Sequence, residues 1–302
     1  MPCFHPIKAW RSREINKSGK RSLVFDERYG LATQPVTVPC NNCIGCRIDR
    51  SQQWATRIMH ENKYHEVSCF LTLTYDDYHL PEGGTLVKKH MQDFLKRLRK
   101  KHGTKIRYFL CGEYGDSSCR AHYHAIIFGC DFADKRCHSK AASGEQLYAS
   151  ATLDKLWGKG HCLIGSVTHQ SAAYVARYIM KKITGERAEE HYARVNEATG
   201  EWYSLLPEYI NMSTRPGIGL DYFKQFRTDM YPSDFEIVKG RKVKIPKYYD
   251  RKLEEDSPAL IKKLKNRRKR RAKLDAANNT PERLAVRKQC LISKTSQLKR
   301  TL

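Results

Sequence analysis

The sequence predicts an α+β fold in which the elements follow in the order β-α-β-β-α-β around a central antiparallel sheet. Three observations indicate this order: apolar runs of strand length, an amphipathic helix after the first of them, and a short polar connection between the next two. This is the ferredoxin-like pattern, with the helices expected on one face of the sheet. A basic extension follows at the carboxyl end of the chain.

The first two elements are a strand and an amphipathic helix. Residues 67–75 form an apolar run of strand length. In the next segment the apolar residues recur at i, i+3, i+4 and i+7, which is the spacing of one helix face. These residues are Met91, Phe94, Leu95 and Leu98. The helix should end near Gly103, because glycine commonly terminates helices.

The remaining elements follow at short intervals. Two strands near 105–113 and 121–129 are joined by a short polar connection that contains Asp116, which predicts a hairpin. A helix, a strand and a second helix are then expected at 153–157, near 162–168 and around Tyr174.

Two histidines on the third strand are candidate metal ligands. The β-branched run after His124 predicts a strand, in which side chains alternate between the two faces. His122 and His124 therefore point to one face, and Tyr123 points to the other. Two imidazoles on one face can hold one divalent ion, although such a pair is also found as hydrogen-bonded histidines without a metal.

Two tyrosines in the last helix are candidate nucleophiles. Tyr174 and Tyr178 are four residues apart, so both phenols project from one helix face, about 5–6 Å apart. Arg177 and Lys181 each follow one of them by three residues. A phenol is a poor nucleophile at neutral pH, and a metal and nearby cations can assist its attack on a phosphodiester. The alternative is an aromatic stripe in a core.

Three blocks of the chain resemble the HUH endonucleases, and specifically the replication initiators of gokushovirus- and microvirus-type single-stranded DNA phages. Phe70–Asp77 resembles the first motif of that family, His122-Tyr123-His124 its histidine pair, and Tyr174–Lys182 its two-tyrosine motif. The resemblance covers about residues 35–230. Tyr123 is a departure, because the central residue of the histidine motif is usually bulky and hydrophobic.

The resemblance implies rolling-circle initiation on single-stranded or origin DNA. One tyrosine would nick the origin strand, become joined to the 5′-phosphate and leave a 3′-OH that primes synthesis, and the second would cut the regenerated origin. It also implies Mg²⁺ or Mn²⁺ at the histidines, and Lys181 as a catalytic cation. Arg177 and Lys182 would contact the strand. The sequence contains no helicase-like ATP motif, so strand separation would depend on supercoiling or on a helicase supplied by another protein. A helicase and a polymerase of the host are the expected protein partners.

A third metal ligand is expected, because oxygen ligands suit Mg²⁺ and Mn²⁺. Glu113 ends the second strand of the predicted hairpin and would lie near the histidines. Asp76 and Asp77, at the end of the first strand, are competing candidates. An ordinary solvated loop acid is the alternative explanation for Glu113.

The charge of the chain predicts a polyanionic partner. The net charge is +24 and the pI is near 9.6, which argues against a small neutral substrate. Residues 241–302 carry 21 Lys and Arg against 6 Asp and Glu, and hence +15 of the total. The densest block should neutralise phosphates without reading sequence, unless it is only a solvated tail. Its predicted DNA contacts are Lys262, Lys263, Arg267, Arg268, Lys269, Arg270 and Arg271.

A cluster of cysteines precedes the predicted core. Cys40, Cys43 and Cys46 have the spacing of a thiolate knuckle, which predicts structural Zn²⁺ if a fourth ligand such as Cys3 or His5 joins them. The paired second knuckle of a strong zinc motif is missing. The alternative is a loop of reduced cysteines packed beside the helix expected over 49–61.

Three regions are expected along the chain. They are an N-terminal cysteine-containing region at 1–65, the HUH-like core at 66–230, and a basic tail at 231–302 that is partly helical or disordered. Within the core, a turn-rich segment at 211–219 is expected to brace the fold. The start lacks a signal-peptide pattern and no apolar run has the length of a bilayer span, so we expect the host cytoplasm and no membrane partner.

Two other functions remain compatible with the sequence. One is a non-catalytic DNA-binding or packaging protein, which would bind DNA without cleaving it. The other is a metal-dependent nuclease that uses activated water, which would leave free ends and no protein adduct.

Overall fold

The computed structural model describes residues 3–17, 19–103, 105–115, 118–141, 143–177, 187–196, 199–238 and 240–297. Within these ranges the chain divides into two units. One unit comprises residues 3–50 together with 266–297, and the other comprises residues 51–265.

The first unit contains an antiparallel three-stranded sheet in the order β2-β1-β3. Its strands are β1 (Ile7–Ile15), β2 (Arg21–Val24) and β3 (Gly30–Val38). This sheet was not predicted from the sequence, because β1 exposes most of its side chains and carries no clear apolar alternation. Helix α1 (Ile44–Asn62) follows and includes the helix expected over 49–61.

The second unit is built on a sheet that has seven strands within the described part of the chain, all paired antiparallel. The elements of its first half are β4 (Ser68–Thr74), α2 (Lys88–His102), β5 (Arg107–Tyr114), β6 (Ala121–Phe128), β7 (Arg136–Lys140), β8 (Gln146–Ala149), α3 (Ala151–Trp157), β9 (Cys162–Gly165) and α4 (His169–Arg177). The elements of its second half are α5 (Arg187–Tyr192), β10 (Ala193–Val195), β11 (Trp202–Ser204), β12 (Tyr209–Met212), α6 (Leu220–Met230), β13 (Glu236–Val238), β14 (Arg241–Val243), α7 (Lys247–Asp256) and the first half of α8 (Pro258–Leu274).

The predicted fold class is confirmed. The strand order is β12-β5-β6-β4-β9-β8-β7, and its four central strands occur in the series β4-α2-β5-β6-α3-β9 along the chain, which is the ferredoxin-like order. The hairpin β7–β8 extends one edge of the sheet and β12 extends the other. The segment predicted as turns at 211–219 therefore begins inside an edge strand.

The expectation of helices on one face is right for α2 and α3 only. These two helices bury Phe94, Leu98 and Trp157 against one face of the sheet. Helices α1 and α4 cover the opposite face, where Phe109 and Phe128 are fully buried. The physical reason is that the central strands are apolar on both faces, and such a sheet needs a layer on each side.

The carboxyl end of the second unit forms its own apolar cluster. Phe223 of α6, Tyr249 and Leu253 of α7, and Ile261 and Leu264 of α8 are buried together. The predicted basic block lies in α8 and is helical, and α9 (Pro281–Ser296) follows it in the first unit. No helix among the described residues has the length and apolar character of a membrane span.

Candidate metal and nucleophile site

The pairing of β5 with β6 brings one acid and two histidines to one face of the sheet. Glu113 lies directly opposite His122, and Cys111 lies opposite His124. Because residues two apart share a face and opposed residues share a face, Glu113, His122 and His124 all project to the side covered by α1 and α4. The predicted hairpin thus places Glu113 beside the histidines.

The three side chains converge on a small region. Glu113 Oε1 is 3.0 Å from Nε2 of His122 and 2.9 Å from Nε2 of His124. The three candidate ligand atoms lie within 4.8 Å of one another. Glu113 is 1% exposed, whereas the side chain of His122 is 17% exposed. Solvent therefore reaches the cluster from the side of His122.

Each imidazole is held by its other nitrogen. His122 Nδ1 donates to the carbonyl oxygen of Arg120 at 3.0 Å. His124 Nδ1 forms a 3.1 Å hydrogen bond with Oγ1 of Thr72, which lies opposite His124 on β4. In the neutral form of His122 the lone pair of Nε2 then points toward the Glu113 carboxylate. Electron-pair donors that face one another in this way are a suitable site for a cation.

The charge of Glu113 is maintained despite its burial. Burial alone would raise the pKa of this carboxyl, but the His122 and His124 imidazoles beside it, when they carry a proton on Nε2, outweigh burial and lower the pKa to about 2. A bound cation would take the place of those protons. The residue is therefore an anionic oxygen donor at neutral pH. Two neutral nitrogens and one carboxylate form a donor set that suits Mg²⁺ or Mn²⁺.

Tyr174 lies next to this cluster on α4. Its ring centroid is 5.0 Å from that of His124, with the two planes nearly perpendicular at 86°. Its side chain is half-buried, and Cζ of Arg177 is 5.6 Å from its ring centroid. The candidate nucleophile Tyr178 and the candidate cations Lys181 and Lys182 lie outside the described residues.

The start of α4 is set by reciprocal hydrogen bonds. Ser171 N donates to Oγ1 of Thr168 at 3.1 Å, and Thr168 N donates to Oγ of Ser171 at 2.8 Å, which is a capping-box arrangement. Ser51 Oγ of α1 donates to the carbonyl oxygen of Ala173 at 3.0 Å. These contacts fix the part of the helix that carries Tyr174.

Tyr123 points to the opposite face of the sheet, as the strand alternation predicted. It is fully buried, and its hydroxyl is 2.9 Å from that of Tyr75 and bonds to both the amide and the carbonyl of Val87. Burial raises the pKa of Tyr123. This phenol ties α2 to the sheet and does not face the histidines.

The two competing acids lie elsewhere. Asp76 accepts from Nδ1 of His79 at 2.8 Å, and Asp77 pairs with Arg120 at 2.7 Å. Neither belongs to the group that contains the two histidines. Of the three candidate acids, the structure brings only Glu113 to His122 and His124.

Comparison with known proteins identifies the family of the chain. Replication-associated protein ORF2 of Spiroplasma virus 4 is 33% identical over 274 residues, which cover 85% of this chain and 81% of that protein. The chain belongs to the phage replication-associated protein family. The family model of replication-associated protein ORF2/G2P matches residues 68–183, from β4 through α4, and so spans the whole cluster described above.

Two further members of this replication-associated family are similar over most of the chain. Replication-associated protein VP4 of Bdellovibrio phage phiMH2K is 31% identical over 258 residues, covering 82% of this chain and 76% of that protein. Replication-associated protein ORF4 of Chlamydia phage 1 is 29% identical over 233 residues, covering 70% of this chain and 52% of that protein. No solved structure matches the chain.

Sequence reasoning missed the groups that orient the histidines. Thr72 lies within the block Phe70–Asp77, but only the pairing of β4 with β6 shows that it contacts His124. Arg120 acts through its carbonyl oxygen, which no side-chain pattern reveals. For these orienting groups the sequence offers a single signal, which is that Thr72 alternates with apolar residues on a predicted strand.

The predicted DNA-contacting residues of α8 differ in exposure. Lys262, Lys263, Lys269, Arg270 and Arg271 are exposed, whereas Arg267 and Arg268 are half-buried. The helix turns Ile261 and Leu264 inward. The exposed cations are therefore held by an anchored helix.

Proposed function

We propose that this protein initiates rolling-circle replication of its phage genome by metal-dependent, site-specific nicking and strand transfer through a phosphotyrosine intermediate. The observation that carries the proposal is the convergence of Glu113, His122 and His124 beside the phenol-bearing helix α4. The net charge of +24 supports DNA as the substrate.

The proposed reaction is a transesterification. The phenol oxygen of Tyr174 or Tyr178 attacks the scissile phosphorus and its proton passes to solvent. The bond from phosphorus to the 3′ oxygen breaks, and that oxygen takes up a proton to become a free 3′-OH. The 5′-phosphate stays joined to the tyrosine, so the bond energy is conserved and no water is consumed.

The residues of the cluster would hold a divalent cation. Glu113, His122 and His124 are the proposed ligands for Mg²⁺ or Mn²⁺. When bound there, the cation supplies Lewis-acid polarisation of the scissile phosphate. Arg177, Lys181 and Lys182 would offset the negative charge that develops on the phosphoryl oxygens and position the strand. The buried carboxylate of Glu113 supplies the one negative charge among the three proposed ligands.

The test is a denaturing gel of the protein incubated with Mn²⁺ and labelled single-stranded circular DNA of its own genome. The variants are Tyr174→Phe, Tyr178→Phe and the double substitution. Tyr123→Phe is the matched control, because it removes a phenol from the same strand as the histidines but from the other face of the sheet. We expect a metal-dependent covalent protein–DNA band that the double variant loses and Tyr123→Phe keeps.

The other outcomes distinguish the alternative functions. Cleavage that leaves free ends without an adduct would indicate water as the nucleophile. Retention of DNA without cleavage in either Mn²⁺ or Mg²⁺ would indicate a binding or packaging protein. An adduct that persists in the double variant would overturn the assignment of the nucleophiles.

A further inference from the structure

Four cysteines come together in the first unit. Cys3 joins Cys40, Cys43 and Cys46, and the four sulfur atoms lie within 4.8 Å of one another. Cys3 Sγ is 3.5 Å from Cys40 Sγ and 3.9 Å from Cys43 Sγ. These separations exceed the length of a disulfide bond, and all four residues are free thiols. His5, the other candidate for the fourth position, contacts Lys288 Nζ at 3.0 Å instead.

Backbone amides are directed at these sulfur atoms. The amide of Phe4 donates to Cys43 Sγ at 3.3 Å, that of Cys40 to Cys3 Sγ at 3.2 Å, and that of Cys43 to Cys40 Sγ at 3.3 Å. Such hydrogen bonds stabilise the anionic form of a sulfur atom more than its neutral form. The main chain is therefore arranged for thiolates.

The turn between the first two knuckle cysteines has the geometry that this arrangement needs. Asn41 has a φ of 60°, in the left-handed region that asparagine tolerates better than most residues. This turn lets the chain curl so that Cys43 reaches the sulfur of Cys40, and α1 then begins at Ile44 and carries Cys46 in its first turn.

We propose that Cys3, Cys40, Cys43 and Cys46 bind one structural Zn²⁺. Tetrahedral zinc with bonds to sulfur of about 2.3 Å places its sulfur atoms about 3.8 Å apart, which agrees with the two sulfur separations given above. The four thiol protons pass to solvent as the thiolates form. All four positions are filled by protein, so this is a closed structural site that ties the segment before β1 to the start of α1. The inference does not depend on the proposed nicking reaction.

Zinc fits these cysteines better than an iron–sulfur cluster. Four thiolates can hold either, but a cluster of several irons separates its cysteine sulfurs by the width of the cluster. Here Cys3 Sγ lies 3.5 Å from Cys40 Sγ and 3.9 Å from Cys43 Sγ, and all four sulfur atoms lie within 4.8 Å of one another. A single tetrahedral ion matches this spacing.

The experiment measures metal content in the full-length chain, purified under reducing conditions and desalted. Elemental mass spectrometry should find one zinc and no iron per chain. Cys40→Ser and Cys43→Ser should weaken zinc retention against a chelator at least about 100-fold. Cys46→His, which keeps a zinc ligand, should retain more zinc than Cys46→Ser. The matched controls are Cys137→Ser and Cys290→Ser, two exposed cysteines outside the cluster, and they should keep full zinc.

A second measurement avoids variants that fail to fold. In wild-type protein, a strong chelator should release zinc and make the four cluster thiols reactive toward a thiol reagent in step with that release. The proposal would be overturned by zinc-free protein after reconstitution, by zinc that is retained in both Cys40→Ser and Cys43→Ser, or by iron in place of zinc. Zinc that is lost in His122→Ala but kept in Cys43→Ser would place the ion at the cluster of Glu113, His122 and His124, and this result would also overturn the proposal.

Discussion

The two imidazoles depend on groups that contribute no ligand themselves. Arg120 and Thr72 each occupy the Nδ1 side of one ring, so that both Nε2 atoms turn toward Glu113. Partners of this kind orient the ring and typically change metal affinity by 10–100-fold when they are removed. At the scale of single residues, Thr72 is therefore a positioning residue for the proposed cation.

We expect Thr72→Val to weaken the apparent affinity for Mn²⁺ about 10-fold. The reason is that His124 loses its hydrogen-bond partner while the shape of the side chain at position 72 is kept. The measurement is a titration of adduct formation with Mn²⁺, in which the half-saturating concentration should rise and Thr72→Ser should restore it. Thr74→Val is the matched control, since Thr74 lies on the same strand but its Oγ1 donates to the carbonyl oxygen of His161 rather than to an imidazole of the site. Equal effects at both positions would contradict the positioning role.

At the scale of elements, a buried acid joins α1, β5 and the segment before α6. Glu61 accepts from the amide of Gly219 at 2.6 Å and from His65 at 3.3 Å, and it pairs with Arg107. Arg107 also donates to the carbonyl oxygen of Pro216 at 2.7 Å. These contacts give a physical basis to the predicted role of the turn-rich segment, which is to brace the core.

We expect Glu61→Gln to destabilise the fold by about 3 kcal/mol at pH 7, because a buried ion pair loses one partner. Burial raises the pKa of Glu61, but the contacts with His65, Gly219 and Arg107 outweigh it and lower the pKa below 4.5. A lowered folded-state pKa stabilises the fold above the unfolded pKa near 4.5, and this contribution is lost as the pH falls through the folded value. Urea unfolding should therefore show the difference between wild type and variant shrinking below pH 4.5. A difference that stays constant with pH would contradict this.

At the scale of the whole molecule, the excess positive charge is unevenly distributed along the chain. Residues 241–302 supply +15 of the +24, and the exposed cations of α8 are held on a helix by Ile261 and Leu264. We expect cations fixed in this way to neutralise phosphates and release counterions, which would make DNA binding salt-dependent without reading sequence.

We expect replacement of Lys262, Lys263 and Lys269 by Gln to reduce the slope of log Kobs against log salt by about 2 for single-stranded DNA. Fluorescence anisotropy over a range of salt concentrations measures this slope. The matched control replaces Lys96, Lys100 and Lys101, three exposed lysines of α2, with the same change in charge. Equal reductions in the two variants would show that only the total charge matters and that α8 has no special role.

The sequence by itself determined the order of the six core elements, β4-α2-β5-β6-α3-β9, and the faces of His122, Tyr123 and His124 on β6. The period of two along a strand separates His122 and His124 from Tyr123, and the helical period of α2 identifies Phe94 and Leu98 as core. Both are local properties, because they depend on backbone geometry within a few residues. The cysteine spacing likewise predicted a knuckle at Cys40, Cys43 and Cys46.

The tertiary structure decided which distant groups meet. The register of β5 against β6 places Glu113 beside the histidines and leaves Asp76 and Asp77 elsewhere, and the pairing with β4 brings Thr72 to His124. The fold of the first unit selects Cys3 over His5. The tertiary structure also decided that helices cover both faces of the large sheet in the second unit. The physical reason is that strand register and layer packing are set by burial summed over the whole fold, and no short stretch of sequence contains that sum.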